Sequence, residues 1–197
     1  MNPTSKAQQF VNLLNSRDSY LVLDTETSGL KGEIVEISII LVLKRQPPHQ
    51  VLLDTKLKPK NPIDPESIKI HHITDEMCQQ SPTWPEIRPR LIEILTNTTV
   101  VTYNALFDRR AFHHTDRAWG LPTYPWKTIG TWACCMHATA DLLCVGELRW
   151  WRLSKAAEKM GIKTDDITLH SSLGDTILAG RVVEFLIDFF EGKKTIS

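Results

Sequence analysis

Three short apolar segments near the N-terminus restrict the possible folds of this sequence more than any other feature. Tyr20–Leu23 is an unbroken apolar run, which is typical of a strand buried on both faces. Ile34–Leu43 is a longer run rich in β-branched residues that closes at Pro47-Pro48, and Val51–Leu57 follows it. Because short connections join these three strands, the sequence predicts an antiparallel meander.

The remainder of the sequence shows helical patterns and one further strand. Strands that come first, followed by helices alternating with a strand, predict a mixed-sheet α/β sandwich. We find no repeats or linkers, so residues 1–197 are expected to form a single domain. The predicted elements are a short helix at Phe10–Leu14, a loop at Pro59–Pro65, a capping-box helix from Thr83 to about Leu95, a strand at Thr99–Tyr103, a helix capped by Asn104, a helix at Leu153–Gly161 and a last helix from about Ser171 to Phe190.

Composition excludes several classes of protein. A chain of 197 residues that is 42% hydrophobic can bury a core without disulfides or structural metals. Lys plus Arg equal Asp plus Glu at 23 each, so any nucleic acid must be bound through a local patch or through metal ions. The sequence has neither a signal-peptide pattern nor a run long enough to span a bilayer, so we expect a soluble, cytoplasmic protein without a membrane partner.

The four cysteines do not form a recognisable framework. No C-x-x-C pair occurs, which favours free thiols in a reducing compartment. Cys134, Cys135, His137 and Cys144 form a cluster along the sequence, but their spacing fits no zinc finger or ribbon.

Asp24 and Glu26 are the first candidate functional residues. Residues two apart in a strand point to the same side, so these carboxylates project together from the end of the predicted central strand. Two carboxylates held this close repel each other unless a proton or a cation intervenes, and Mg²⁺ accepts such oxygens. A strand-end turn with solvated acids explains the pair about as well.

Asp108, His170 and Asp175 are further candidates of unequal strength. Asn104 places Asp108 in the first turns of a helix, where the helix dipole alone explains an acid. A histidine at a helix start such as His170 is by itself an ordinary surface residue, although its usual pKa suits a general base. Asp175 is the strongest, because a carboxylate on a core-facing line is costly unless it is paired or bound to metal. It continues the apolar stripe of the last helix, Leu178, Val182, Phe185, Leu186 and Phe189.

Together these segments resemble the DEDDh exonucleases of the DnaQ-like, ribonuclease H-like superfamily, which includes the proofreading ε subunit of bacterial DNA polymerase III and small stand-alone exonucleases. The first motif corresponds to Asp24–Leu30, the second to Tyr103–Asp108 and the third to His170–Asp175, in the family's order. Ile70–Thr74 and Leu153–Ile162 also resemble family segments, so the similarity extends over roughly residues 18–190.

The resemblance implies a fold, a reaction and a set of roles. The fold is a ribonuclease H-like αβα sandwich with a mixed five-stranded sheet. The reaction is 3′→5′ exonucleolytic hydrolysis that releases 5′-mononucleotides, with DNA favoured over RNA and a single-stranded substrate expected. Two divalent metal ions, Mg²⁺ or Mn²⁺, would be held by Asp24, Glu26, Asp108 and Asp175, and His170 would be the general base.

The same resemblance assigns substrate contacts to Thr27, Leu30, Ile73 and Asn104, although ordinary packing explains Leu30 and Ile73 equally well. Exposed cations would bind backbone phosphates, unless they only form a solvated face. Trp150-Trp151 would stack on bases, unless the rings are buried. The cations considered are Arg109, Arg110, Arg149, Arg152 and Lys155.

Three positions depart from the family pattern, and two other functions compete with the exonuclease. Ser171-Ser172 and Gly130 differ from common family residues, and Gly174 predicts a mobile start of the last helix, since glycine costs about 1 kcal/mol there. A non-catalytic nucleic-acid-binding or polymerase-accessory module would show a degraded acid set, and an endonuclease would lack the final His-x₄-Asp. A stand-alone enzyme is favoured because the sequence ends soon after the last helix, and a polymerase partner is left open.

Overall fold

The computed structural model describes residues 5–43, 49–143 and 150–196. Pro47-Pro48, Cys144 and Arg149, which entered the sequence predictions, lie outside these ranges. One five-stranded sheet has the order β3-β2-β1-β4-β5. Its strands are β1 (Ser19–Thr27), β2 (Ile34–Leu43), β3 (Gln50–Lys56), β4 (Thr99–Thr102) and β5 (Thr131–Cys134).

The pairing of the strands makes the sheet mixed. Strand β1 pairs antiparallel with β2, and β2 pairs antiparallel with β3, which confirms the predicted meander. Strands β4 and β5 add in parallel on the other side of β1. Strand β1 is therefore central, as predicted.

Helices cover both faces of the sheet, which confirms the predicted α/β sandwich. The helices predicted before the meander, after Thr83, after Asn104, near Leu153 and at the C-terminal end are all present. Sequence reasoning did not place β5 or three short helices, and the predicted loop ends at Asp64, because Pro65 begins a helix. The helices are α1 (Lys6–Asn15), α2 (Pro65–His71), α3 (Asp75–Cys78), α4 (Trp84–Leu95), α5 (Ala105–Ala118), α6 (Cys135–Leu143), α7 (Leu153–Lys159) and α8 (Ser172–Phe190).

Alternation along β1 divides the core into two clusters. Tyr20 and Val22 pack in a cluster with α1, α6, α7 and α8. Leu21 and Leu23 pack on the opposite face with α4 and α5. By the same alternation, Asp24 and Glu26 lie on the α8 side, while Thr25 lies on the α5 side.

No helix within the described ranges is both long enough and apolar enough to cross a bilayer. The described cysteines, Cys78, Cys134 and Cys135, are free thiols.

Candidate metal and catalytic site

Three carboxylates from two elements meet beside the central strand. Asp24 and Glu26 project from β1, and Asp175 projects from the first turn of α8. One oxygen from each of these partly exposed residues lies within 4.8 Å of the others. Among the described residues, this is the only group of at least three acidic, histidine or cysteine side chains close enough to share a metal ion. The described part of the cysteine cluster, with His137, therefore shows no zinc geometry.

The electrostatics of this group suit a cation. Burial, followed by the charges of Asp175, Glu36 and Asp108, raises the pKa of Glu26 to about 8. Burial and then the neighbouring Asp108 and Glu26 raise the pKa of Asp24 well above its usual range. Without a cation, several negative charges repel one another in a partly desolvated space. Since every donor is a carboxylate oxygen, the residues fit a hard divalent ion such as Mg²⁺ or Mn²⁺.

Asp108 lies next to this group, where the side chain of Thr25 contacts it. It is 2% exposed, and the Thr25 hydroxyl donates a hydrogen bond of 3.0 Å to its Oδ1 atom. Burial raises the pKa of Asp108 to about 7, although the nearby Thr102 and Thr25 hydroxyls oppose that rise. Among the neighbouring charges, Asp108 raises the pKa of Asp24 most. The fourth predicted acid is therefore adjacent to the cluster rather than within it.

The loop before α8 brings His170 beside Asp175. The backbone N–H of His170 donates to Oδ1 of Asp175 over 3.4 Å. His170 is exposed and has a φ of +61°, in the left-handed region that histidine adopts more readily than most residues. Burial raises the pKa of Asp175, and the His170 N–H and charge oppose that rise. The predicted base is thus attached to one of the candidate ligands.

The structure corrects the interpretation of Gly174. A Cβ atom at this position would lie 1.8 Å from the carbonyl oxygen of Thr168, so the loop bearing His170 passes directly over the helix start. Ser171 reinforces this arrangement, because its hydroxyl donates to the Thr168 carbonyl at 2.8 Å and accepts from the Gly174 N–H at 3.2 Å. Gly174 therefore permits close packing and does not mark a loose helix end. Gly130 is similar, because a Cβ there would lie 2.5 Å from the Thr98 carbonyl oxygen.

Glu36 is a residue of the site that the sequence reasoning missed. It pairs with Glu26 across the strands and is only 6% exposed. Its carboxylate accepts from the Ser172 N–H at 2.8 Å and from Lys56 Nζ at 2.7 Å. Glu36 therefore attaches the N-terminus of α8, and with it Asp175, to β2. The sequence signal that could have identified Glu36 is its position as a lone acid within the apolar run of β2.

His71 is a second residue that was missed. Its Nδ1 accepts the Ile73 N–H at 3.0 Å, so the proton lies on Nε2, which donates to the Thr27 carbonyl oxygen at 3.2 Å. Burial lowers the pKa of this imidazole, which favours the neutral form that these bonds require. His71 therefore fixes the backbone just beyond Glu26.

The predicted substrate contacts have different surroundings. Leu30 is 84% exposed, whereas Ile73 is 3% exposed and packs with Val35, Ile63 and Cys78. Leu30 is thus available to a base, while the environment of Ile73 supports the packing interpretation. The buried Thr27 hydroxyl donates to the Gly29 carbonyl, and Asn104 caps α5 by accepting the Phe107 N–H.

The cations and tryptophans that were predicted to contact phosphates and bases differ in exposure and in their partners. Arg110 and Arg152 are exposed, but Arg109 Nε donates to the Ala105 carbonyl and Lys155 lies 2.6 Å from Glu158. The Trp150 ring is 52% exposed and lies 4.9 Å from the ring of His137. Trp151 packs against the α8-side core with Lys159 above its ring.

Comparison with known proteins places this geometry in a family. The profile of the RNase T family, described as exonuclease, matches residues 21–183. An uncharacterised exonuclease of Escherichia phage 186 is 31% identical over 179 residues, which cover 86% of this chain and 88% of the phage protein. The ε subunit of DNA polymerase III from Pasteurella multocida is 29% identical over 177 residues, 82% of this chain but only 65% of that subunit.

Solved structures agree with the sequence comparison. Exonuclease X in complex with 5′-overhanging duplex DNA superposes with a TM-score of 0.61 at 27% identity, over 90% of this chain and 95% of that one. A 3′-exonuclease that recognises the 3′ end of histone mRNA stem-loop has a TM-score of 0.72 at 15% identity, over 89% and 83% of the two chains. The latter likeness shows the shared fold.

Proposed function

This chain belongs to the RNase T family as a DEDDh exonuclease, and we propose that it removes 5′-mononucleotides one at a time from the 3′ end of DNA. The observation that carries this proposal is the convergence of Asp24, Glu26 and Asp175 within 4.8 Å, with Asp108 adjacent. A non-catalytic accessory module has no use for clustered carboxylates that repel one another. We further propose that residues 1–197 act as one exonuclease domain.

Asp24, Glu26 and Asp175 would hold a divalent cation, and Asp108 would support a second one next to Asp24. The cations are Mg²⁺ or Mn²⁺, which prefer carboxylate and water ligands. When bound, such ions supply charge stabilisation to a phosphate undergoing displacement and lower the pKa of water. The protein provides the oxygen donors, and Glu36 and His71 hold the strands and helix that present them.

His170 would accept the proton of the attacking water. It is exposed, it precedes Asp175 by five residues, and its left-handed backbone conformation is fixed by the Asp175 hydrogen bond. An imidazole held beside the carboxylates by its own backbone suits a general base. Thr27, Asn104 and the exposed Leu30 would contact the terminal nucleotide, and Ile73 would support that surface from beneath.

DNA is the favoured substrate, with single strands preferred. Support for DNA comes from exonuclease X, whose structure contains duplex DNA with a 5′ overhang, and from the similarity to the ε subunit of DNA polymerase III. The chain spans about two thirds of the ε subunit that it matches, so association with a polymerase is a separate question. A stand-alone enzyme is the simpler proposal.

A time course on end-labelled oligonucleotides tests the function. With Mn²⁺ or Mg²⁺, 5′-labelled single-stranded DNA should shorten stepwise from its 3′ end, while 3′-labelled DNA should release its label at once. RNA of the same sequence and blunt duplex DNA, run in parallel, would rank the substrates. Binding without digestion would favour the accessory module, and cleavage of circular single-stranded DNA would favour the endonuclease.

A further inference from the structure

Helix α5 carries a row of basic side chains along its outer face. Arg110, His113, His114 and Arg117 are spaced i, i+3, i+4 and i+7, which places them on one side of the helix over two turns. The two arginines are exposed and the two histidines are partly exposed. The chain is neutral overall, so the two arginines give this face a local excess of positive charge.

The two acids of α5 do not neutralise the row. Asp108 and Asp116 are each 2% exposed. Asp116 accepts hydrogen bonds from Nε1 of Trp84 at 2.8 Å and from Nε1 of Trp126 at 2.7 Å, and it pairs with Arg88 at 2.8 Å. Both carboxylates therefore belong to the interior, and along Ala105–Ala118, which is described in full, the exposed charges are cationic.

Two lysines from other segments extend this surface. Burial, followed by the charges of Arg117, Lys31 and Arg110, lowers the pKa of His114, so the ring among these cations is neutral at pH 7. The N–H of Ile34 donates to Thr115 Oγ1 at 3.0 Å, which attaches the segment following Lys31 to α5. Lys60 Nζ donates to the Ala118 carbonyl oxygen at 3.1 Å, at the end of the helix. We call Lys31, Lys60, Arg110 and Arg117 the α5 cationic row.

The row lies beside the candidate active site, on the face of α5 that is turned away from the buried Asp108. Arg110 is two residues beyond Asp108, about 3 Å along the helix axis, and Arg117 lies about 10 Å further. Lys31 follows the exposed Leu30 in the turn that connects the β1 carboxylates to β2, and the end of this turn meets α5 at Thr115. A polyanion that leaves the carboxylate cluster across this turn would therefore meet these cations.

We propose that the α5 cationic row binds phosphates of the substrate strand upstream of its 3′ end. This inference rests on the proposed function and adds the path of the strand. The occupant is a nucleic-acid backbone, because Lys and Arg side chains match phosphates and a row of point charges distinguishes no base. Binding should accordingly be independent of sequence and sensitive to salt.

The test measures binding rather than turnover. Anisotropy of a fluorescent single-stranded DNA oligonucleotide would be titrated in EDTA at several salt concentrations, with the intact chain and with Arg110→Ala/Arg117→Ala. Losing two phosphate contacts should weaken binding about 10-fold at 0.1 M salt and make the slope of log affinity against log salt shallower by about 1.4. Arg110→Lys/Arg117→Lys should retain most of the affinity and the slope.

A matched control removes two cations elsewhere. Arg90 is exposed on α4 beside Glu93, and Lys194 lies near Asp188 in the C-terminal segment, so Arg90→Ala/Lys194→Ala lowers the net charge equally. This control should bind like the intact chain. If it weakens binding as much as the α5 variant, or if the α5 variant keeps its affinity and slope, the proposed path is wrong. If the intact chain binds DNA in a salt-dependent way but digests none, the proposed function is wrong, whereas phosphate binding by the α5 cationic row is not contradicted.

Discussion

Replacing Glu26 with glutamine should make the metal-free protein more stable while destroying its activity. The structure places Glu26 close to Asp24 and Asp175, and its pKa is raised to about 8. In the unfolded chain the same carboxyl titrates near 4.5. Ionising Glu26 in the folded state is therefore unfavourable, and glutamine avoids this penalty while it keeps the size of the side chain.

Proton linkage determines both the direction and the size of this change in unfolding free energy. Because the folded pKa lies above the unfolded one, the folded state binds more protons between pH 4.5 and 8, and stability falls as pH rises through that window. One pKa unit corresponds to about 1.4 kcal/mol, so the full penalty at pH 7 is about 3 kcal/mol. Since the neighbouring acids share protons with Glu26, we expect Glu26→Gln to gain about 1–3 kcal/mol at pH 7. For a chain of this size each kcal/mol raises Tm by about 2–4 °C.

Thermal or urea unfolding in EDTA at pH 5, 6, 7 and 8 measures the stability difference between Glu26→Gln and the unaltered chain. The advantage of Glu26→Gln over the unaltered chain should be small at pH 5 and grow towards pH 8. Saturating Mn²⁺ should reverse the order, because the cation stabilises only the complete carboxylate set. Glu93→Gln, at an exposed position on α4, is the control and should show neither effect. A neutral or destabilising Glu26→Gln at pH 7, or an advantage that does not depend on pH, would refute this account of the site.

The remaining predictions concern single residues. Asp24→Ala should abolish metal-dependent digestion of single-stranded DNA, and purified protein with near-normal activity would contradict the metal assignment. His170→Ala should lower kcat by about 10²–10⁴ while Mn²⁺ affinity by calorimetry stays within a few-fold, since it removes a base and no ligand; a lost affinity would make His170 a ligand. Glu36→Ala should cost about 1–3 kcal/mol of unfolding free energy, because the Ser172 N–H loses its partner, and should raise the Mn²⁺ concentration needed for half-maximal activity; unchanged Mn²⁺ dependence would remove Glu36 from the site. Gly174→Ala should displace the Thr168 carbonyl, destabilise the fold by about 1–3 kcal/mol and lower kcat more than it raises KM; a variant with unaltered kcat would show that the loop position does not matter.

Local sequence signals were sufficient to predict the sheet meander and the positions of the acids. The alternation of β1 predicted that Asp24 and Glu26 share a side, and the apolar stripe of α8 predicted an inward-facing Asp175. These signals depend only on the geometry of single elements. Strand β5 and helix α3 escaped, because each has only four residues, too few for a period to be visible, and neither has the β-branched run that marks β4.

Contacts between distant segments were beyond sequence reasoning. The attachment of Ser172 to Glu36 joins residues 136 positions apart, and no local pattern encodes that hydrogen bond. The passage of the Thr168 carbonyl over Gly174 is likewise tertiary, so the glycine was interpreted as a weakness of the helix. The position of Asp108 beside Thr25 and Asp24 likewise depends on how α5 packs against β1.

The central claim is that Asp24, Glu26 and Asp175, with Asp108 alongside, form a divalent-metal site. The most direct measurement is the anomalous scattering of Mn²⁺ in crystals of the intact chain. A strong peak within coordination distance of carboxylate oxygens of both Asp24 and Glu26 is the predicted result. Crystals that bind Mn²⁺ elsewhere, or that show no peak at this cluster at saturating Mn²⁺, would contradict the account.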